Sequence, residues 1–409
     1  MKHFLKLAAI SVLMVCLSTG VYSNGLNLNS NGSKAIAMGG AFVGLADDYS
    51  AVFWNPAGLT QMKETNVALF GTDIIPDLKY QFTPYGIDTK AEDKHYISGG
   101  LGFFKPLSDK VVVGIYAYVP AGLGNEWNGA DLLPLWPGGP YKWSTMVAMF
   151  TVSPAVAFKL SDQFSIGATL NINYGIAKLK KPGLGQFEMD LDGTAFGATF
   201  GALFKPSEKF SIGVCYKTQL KAKLKGDATM SGAPLYGLPT TDKAELNATW
   251  PMWLAGGIAI KPTDKLTITA DVQYTNWKKM DTLPLIFSNV GWKAAFESGA
   301  EILLYWEDTV QLRAGLEYMV SEKFALRGGY YYDPGPGPKK TLNILLPEVT
   351  YNWITLGFGY KTEKITLDVG LEYAMGKDLT AQPSEIIYGM PGTISVGFIV
   401  PNIALTIRF

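Results

Sequence analysis

The sequence predicts an all-β membrane protein: a transmembrane barrel of about fourteen antiparallel strands with a small, mainly helical segment inside its lumen. Three observations carry this. Runs of alternating apolar and polar residues extend almost to the last residue, the period expected of strands with one apolar face. Short and long connections between the runs take turns, as they do when the two rims of a barrel face different compartments. Only 17% of the residues are charged while 13% are aromatic and 45 are glycine, a balance suited to a wall that meets lipid. The formal net charge is zero, which argues against a nucleic-acid partner.

From the N-terminus onward, Lys2, Lys6 and the apolar run Leu7 to Leu17 read as a secretory signal. Val21-Tyr22-Ser23 offers the cleavage site, so residues 1–23 are a signal peptide and Asn24 is the expected first residue afterwards. Cys16 lies within the apolar run and follows Val15, which disfavours a lipoprotein. Cleavage leaves Cys215 alone, so no disulfide is expected. No later stretch is apolar for the ~18 residues a spanning helix needs.

Residues 24–64 lack strand alternation and are too polar to span a membrane as a helix. Asp47 or Asp48 can cap a short helix from Tyr49 to Trp54. Pro56 ends it, because a residue before proline avoids helical angles. Asn55 can then cap a second turn with Pro56 at its first position. Two readings stand: a periplasmic extension, or a compact plug in a lumen too wide for wall side chains to fill.

Residues 65–409 are the expected barrel. "FKPLSDKVVVG", "FKLSDQFSIG", "FKPSEKFSIG", "IKPTDKLTIT", "MVSEKFALRG" and "YKTEKITLDVG" each close one run and open another through turn-forming residues. The longer connections are 77–93, 121–142, 178–185, 226–241, 279–308, 333–348 and 376–390. In "VQLRAGLEYMV", Val310, Leu312, Leu316 and Tyr318 share the face expected toward lipid, and Gln311, Arg313 and Glu317 the other. The chain's three arginines, Arg313, Arg327 and Arg408, all have lumen parity. Tyr174, Tyr216, Tyr274 and Tyr360 fit interfacial girdles. The final strand "NIALTIRF" ends on an outward Phe409, which resembles an outer-membrane assembly signal.

The run "NGLNLNSNGSKAIAMGGAFVGLADDYSAVFWNPAGLT" resembles the N-terminal hatch of the FadL/TodX outer-membrane hydrocarbon transporters, through Ala46-Asp47-Asp48 and Asn55-Pro56-Ala57. Tyr305 to Tyr360, with Trp306-Glu307-Asp308-Thr309, Arg327-Gly328-Gly329-Tyr330 and Leu346-Pro347-Glu348, is similar to the same family's C-terminal third. The resemblance implies a plugged barrel that moves long-chain fatty acids, or aromatic and other hydrocarbons, inward. It also implies a monomer in outer-membrane lipid, inserted by the barrel assembly machinery through Phe409. Its gate would be Phe53, Trp54, Asn55, Pro56, Ala57 and Gly58. Ligand would bind near the mature N-terminus, where Asn24 and Leu26 stand. Apart from the resemblance, a fatty-acid carboxylate needs a cation in an apolar pocket, and Arg313, Arg327 and inward Lys217 are the candidates; a lumen ion-pair ladder is the other reading of the arginines. Leu132, Leu133, Leu135 and Trp136, with Leu285, Ile286 and Phe287, form either an external ligand groove or mere loop cores. Val119-Pro120 marks either a sideways opening in the third strand or that strand's end.

Two other classes are weighed. A porin-like channel for small solutes is disfavoured by residues 24–64. A hydrolase has no catalytic partner for His95, which reads as a surface residue, and neither metal nor cofactor is expected.

Overall fold

The computed structural model describes residues 25–28, 31–295 and 301–409; the signal peptide and Asn24 lie outside them. Among the described residues, fourteen strands form one closed antiparallel wall. They are β1 (Asn66–Phe82), β2 (Tyr96–Ser108), β3 (Val111–Trp127), β4 (Trp143–Lys159), β5 (Phe164–Gly183) and β6 (Gly185–Ser207). Next come β7 (Phe210–Lys217, continued by Leu220–Met230), β8 (Thr241–Trp250, continued by Trp253–Thr263) and β9 (Leu266–Thr275). The wall ends with β10 (Thr309–Met319), β11 (Phe324–Asp333), β12 (Tyr351–Lys361), β13 (Ile365–Gly376) and β14 (Gly392–Arg408). Each strand pairs with its neighbours in sequence, and β1 closes on β14 from Asn66↔Arg408 to Gln81↔Thr393. Closure leaves no free sheet edge in lipid, where unpaired backbone groups are costly.

Alternation sorts the side chains as the sequence predicts. On β10, Val310, Leu316 and Tyr318 are exposed on the outer face, while Gln311, Arg313 and Glu317 are buried inside. Tyr174, Tyr216 and Tyr360 are likewise exposed on the outer face.

Sequence expectations change at residues 178–185 and before Asn55, and one of the two readings of Pro120 falls. Residues 178–185 are not a loop: β5 and β6 pair all the way to Gly183↔Gly185. Ion pairs Lys178–Asp190 and Lys180–Glu188 join them, both at about 2.7–2.8 Å, so this ladder carries charge on its outward face. Pro120 lies inside β3 rather than at its end. Its β4 ladder skips from Tyr118 to Ala121 there, the bulge that a residue without N–H requires. The helix before Asn55 is α2 (Ala51–Trp54), shorter than expected and preceded by α1 (Ser33–Ala37). Asp48 does not cap α2; its Oδ1 instead accepts the Ser50 N–H and Oγ, at 2.8 and 2.6 Å, one residue before the helix.

Candidate functional site

Residues 31–62 pack inside the lumen and stop it. Their apolar side chains Phe42, Trp54 and Leu59 form one core with wall residues Phe104, Tyr116 and Ala157. After α1 the chain reverses through Gly39 and Gly40, at φ +65° and +63°, a region that suits glycine. There the Gly39 N–H donates to Thr355 Oγ1 at 3.0 Å, and Thr355 Oγ1 donates to the Ala37 carbonyl at 3.1 Å. The Val43 N–H donates to Asp271 Oδ2 at 2.7 Å.

Asn55 is the next anchor, and it is fully buried. Its Oδ1 accepts the Ala57 N–H at 3.2 Å, capping the 3-10 helix Pro56–Gln61 as the sequence suggests. Its Nδ2 donates to the Val43 carbonyl at 2.8 Å and to the Ala202 carbonyl of β6 at 3.0 Å. The approach is close enough that a Cβ at Gly201 would sit 2.1 Å from Asn55 Oδ1. Only glycine admits this contact.

A buried charge network ties α1 to the far wall. Lys34 pairs with Asp47 at 2.9 Å and with Glu317 at 3.5 Å. Arg327 holds Glu317 at 2.7 Å and Asp368 at 2.6 Å. Burial alone would lower the Lys34 ammonium, but Asp47 and Glu317 together hold it above its ordinary value. Burial also pushes the Asp48 carboxyl up to about 7, against the hydrogen bond from Ser50 and with help from Asp47.

The wall itself is interrupted at one place beside the plug. The β2–β3 ladder ends at Gly100↔Tyr118, while β2 goes on pairing with β1 as far as Ile74↔Tyr96. The next backbone bond joining these edges is Glu92 N–H to the Glu126 carbonyl, 2.8 Å. Between the two lies a window, bounded by residues 93–99 and 119–125. Residues 26–28 pair with the freed edge of β3: Leu28 N–H donates to the Pro120 carbonyl at 2.9 Å, and Gly122 N–H to the Leu26 carbonyl at 3.1 Å. Tyr96 reaches across the window so closely that a Cβ at Gly124 would meet its ring at 2.4 Å.

A cavity of about 390 Å³ occupies this place. Tyr331 and Trp353 line its lumen side, Ile97 and Val119 its waist, and Met146 and Phe150, both exposed on the outer face, its far side. Tyr331, Trp353 and Phe398 stack in a row, with centroids 5.2 and 5.9 Å apart and planes within 10°. The sequence reading missed these aromatics. Their lumen parity was the signal available, clearest for Tyr331, whose inward neighbours on its strand are Ala325, Arg327, Gly329 and Asp333.

Other expected site residues are placed as follows. Arg327 sits in the ion-pair network, and Arg313 lies under the plug, donating to Gln311 Oε1 at 2.8 Å and to the Gly39 carbonyl at 3.3 Å. Neither lines the cavity at the window. Lys217 lines a smaller one, of about 60 Å³, beside Asn171, Asn173, Trp250 and Phe53. Its Nζ lies 3.2 Å from the Phe53 ring centroid and 4.6 Å from that of Trp253, and no carboxylate pairs with it among the described residues. Pro56, Ala57 and Gly58 are buried against the wall, away from the window. The two apolar loop blocks do not meet. Leu132 and Leu135 belong to one cluster, Leu285 and Phe287 to another, and Leu345 and Leu346 stand between them; Leu133 is half-buried, and Trp136 and Ile286 are exposed. His95 is exposed, as the sequence reading has it, and it also lines the cavity at the window.

A closed strand wall, apolar outside and stopped within by its own N-terminal segment, defines a plugged outer-membrane barrel. The chain matches the family model described as outer membrane protein transport protein (OMPP1/FadL/TodX) over residues 14–395, and it belongs to that family, which transports hydrophobic compounds. It is 23% identical to the long-chain fatty acid transport protein of Escherichia coli K12, over 91% of this chain and 92% of that protein. Its fold is similar to that of a Pseudomonas aeruginosa FadL homologue, with a TM-score of 0.80 at 20% identity, covering 94% of this chain and all of the other. It is also similar to the Ralstonia pickettii toluene transporter TbuX, with a TM-score of 0.73 at 19% identity over 94% and 99% of the two chains.

Proposed function

We propose that this protein admits long-chain fatty acids by diffusion through the plugged barrel and releases them sideways through the β2–β3 window. The carrying observation is the cavity that runs from the stacked Tyr331 and Trp353 through that window to lipid-facing Met146 and Phe150. A hydrophobic molecule following it meets a mainly apolar lining, so no step takes it through bulk water. Gly25, Asn27 and Leu28 line this path, and the pairing of residues 26–28 with β3 makes the mature N-terminus the part that ligand displaces. Residues 24–64 act as the hatch. The reading needs no catalytic group and no energy source beyond the ligand's own gradient.

Lys217 favours an acid as cargo, because an amine in the smaller lumen cavity, with no carboxylate paired to it among the described residues, can take up an acid headgroup. The aromatic row favours a second reading, an uncharged aromatic hydrocarbon, within the same pathway. A porin-like channel fits poorly, because the lumen is stopped by side chains packed on both sides.

Mass spectrometry of ligand retained by the purified protein separates these readings. Recovered fatty acid supports the first and an aromatic hydrocarbon the second. Polar solutes alone, or a large steady conductance in planar bilayers, would overturn both.

A further inference from the structure

The window carries a polar pair that neither the fold nor the transport of a plain hydrocarbon requires. On β1 the outward positions are Val67, Leu69, Gly71, Asp73, Ile75, Asp77 and Lys79; Leu69 is exposed to lipid, and Asp73 is the first charge after the apolar stretch. Asp73 is thus a carboxylate on the lipid-facing side of a spanning strand, a costly position. It pairs in register with Ile97 on β2, the strand that borders the window. His95, the residue just before β2 and mostly exposed, brings Nδ1 to 2.6 Å from Asp73 Oδ2. The other Asp73 oxygen, Oδ1, is buried without a hydrogen-bond partner. His95 lines the cavity where the cavity passes through the wall, and among the described residues no hydrogen bond occupies its Nε2. The nearby charges are satisfied elsewhere: Lys94 pairs with Glu126 at 3.1 Å and Asp93 with Lys90 at 2.8 Å.

We propose that His95 is the binding point for the carboxyl headgroup of an amphiphilic cargo as it leaves the lumen for lipid, with Asp73 as its positioning residue. This rests on the window being the exit. Asp73 fixes the imidazole through Nδ1, the tautomer and orientation role that a carboxylate plays for histidine elsewhere. Nε2 is then presented to the cavity. A protonated carboxyl donates to Nε2, and a carboxylate accepts from it when the ring is an imidazolium. The headgroup therefore keeps a hydrogen bond at the point where its chain already lies against Met146 and Phe150. An alkane gains nothing from this arrangement.

The test compares initial uptake of a long-chain fatty acid and of an alkane of equal length, in cells whose only such transporter is this protein or a variant. Heat-modifiability on gels confirms that each barrel is folded. His95→Gln is expected to cut acid uptake severalfold and leave alkane uptake within about twofold, since only a charge-assisted hydrogen bond is lost. Asp73→Asn is expected to do the same more weakly. Normal acid uptake in His95→Gln overturns the proposal, and so does an equal loss for both cargoes, which would mark His95 as wall packing. Failure of the unaltered protein to move either cargo would sink the exit reading itself, a result distinct from both.

Discussion

Replacing Asn55 by alanine removes three buried hydrogen bonds at once: one that caps the 3-10 helix and two that reach Val43 and Ala202. Each such bond is worth about 1 kcal/mol net. Two carbonyls then face a void inside the core, so the seated plug loses about 2–3 kcal/mol, of which the Ala202 bond is the part that reaches β6. That raises the undocked fraction by roughly 30- to 150-fold. Planar-bilayer recording reads this directly, as openings that are rare in the unaltered protein and frequent in Asn55→Ala. Asn55→Asp sharpens the test. It keeps the acceptor for the Ala57 N–H but has no donor for the two carbonyls, and it sets a carboxylate against them. It should open at least as often as Asn55→Ala. Opening at the unaltered rate in Asn55→Asp would show that the cap alone matters and refute the anchoring argument. Barrel assembly should survive in both, because no wall ladder uses the Asn55 side chain.

Three further outcomes are expected. Arg327→Met should destabilise the plug by about 3–5 kcal/mol, since Asp368 loses its buried counter-ion while Glu317 keeps Lys34; protease nicking within residues 31–62 of the folded barrel is the readout, and unchanged resistance would count against it. The Asp48 carboxyl, at about 7, binds its proton more tightly in the folded chain than in the unfolded one, where it is near 3.8. Plug stability from this group is therefore full below about pH 4 and is lost as pH rises through 7, so openings should become more frequent between pH 5 and 8. Asp47, Lys34, Ser50 and Asp368 are the groups around it, and Asp48→Asn should flatten the profile. Deleting Phe409, whose side chain is exposed and whose N–H donates to the Thr65 carbonyl at 2.9 Å, should slow membrane assembly; pulse-labelled cells with normal assembly would contradict it.

The wall was legible in the sequence because lipid outside and water inside impose a period of two, and because the tight turns repeat one chemistry. The same logic explains the failure at 178–185. The outer ends of β5 and β6 carry Lys178, Lys180, Glu188 and Asp190 on their outward face, joined by ion pairs, while Phe187, Met189 and Leu191 pack inward, so the lipid-facing signal that marks a strand is missing there. The plug's helix–break–helix around Asn55 and Pro56 was legible as local chemistry. Its anchoring was not, since Ala202, Asp271 and Thr355 are brought to it only by the closed wall. The cavity was the least legible part. Ile97, Val119, Phe150, Tyr331 and Trp353 come from five strands, and no local pattern joins them. Asp73 broke the alternation of β1 in plain view, yet its meaning depends on His95, whose approach is set by the β1–β2 register.

The plug is made first and satisfied last. Gly39 finds its hydrogen bond on Thr355, 316 residues further along, and Asn55 finds Ala202 across 147 residues. Contacts of such span form late, because the intervening chain must be ordered before they are rewarded. Phe42, Val52 and Trp54, all buried in the finished molecule, therefore remain uncovered while nearly every strand is being made. The seam between β1 and β14, which directly follows the plug in the chain, joins the two ends of the wall. Maturation of this protein is thus a matter of timing, with the closing of that seam and the seating of the N-terminal segment bound into one final event.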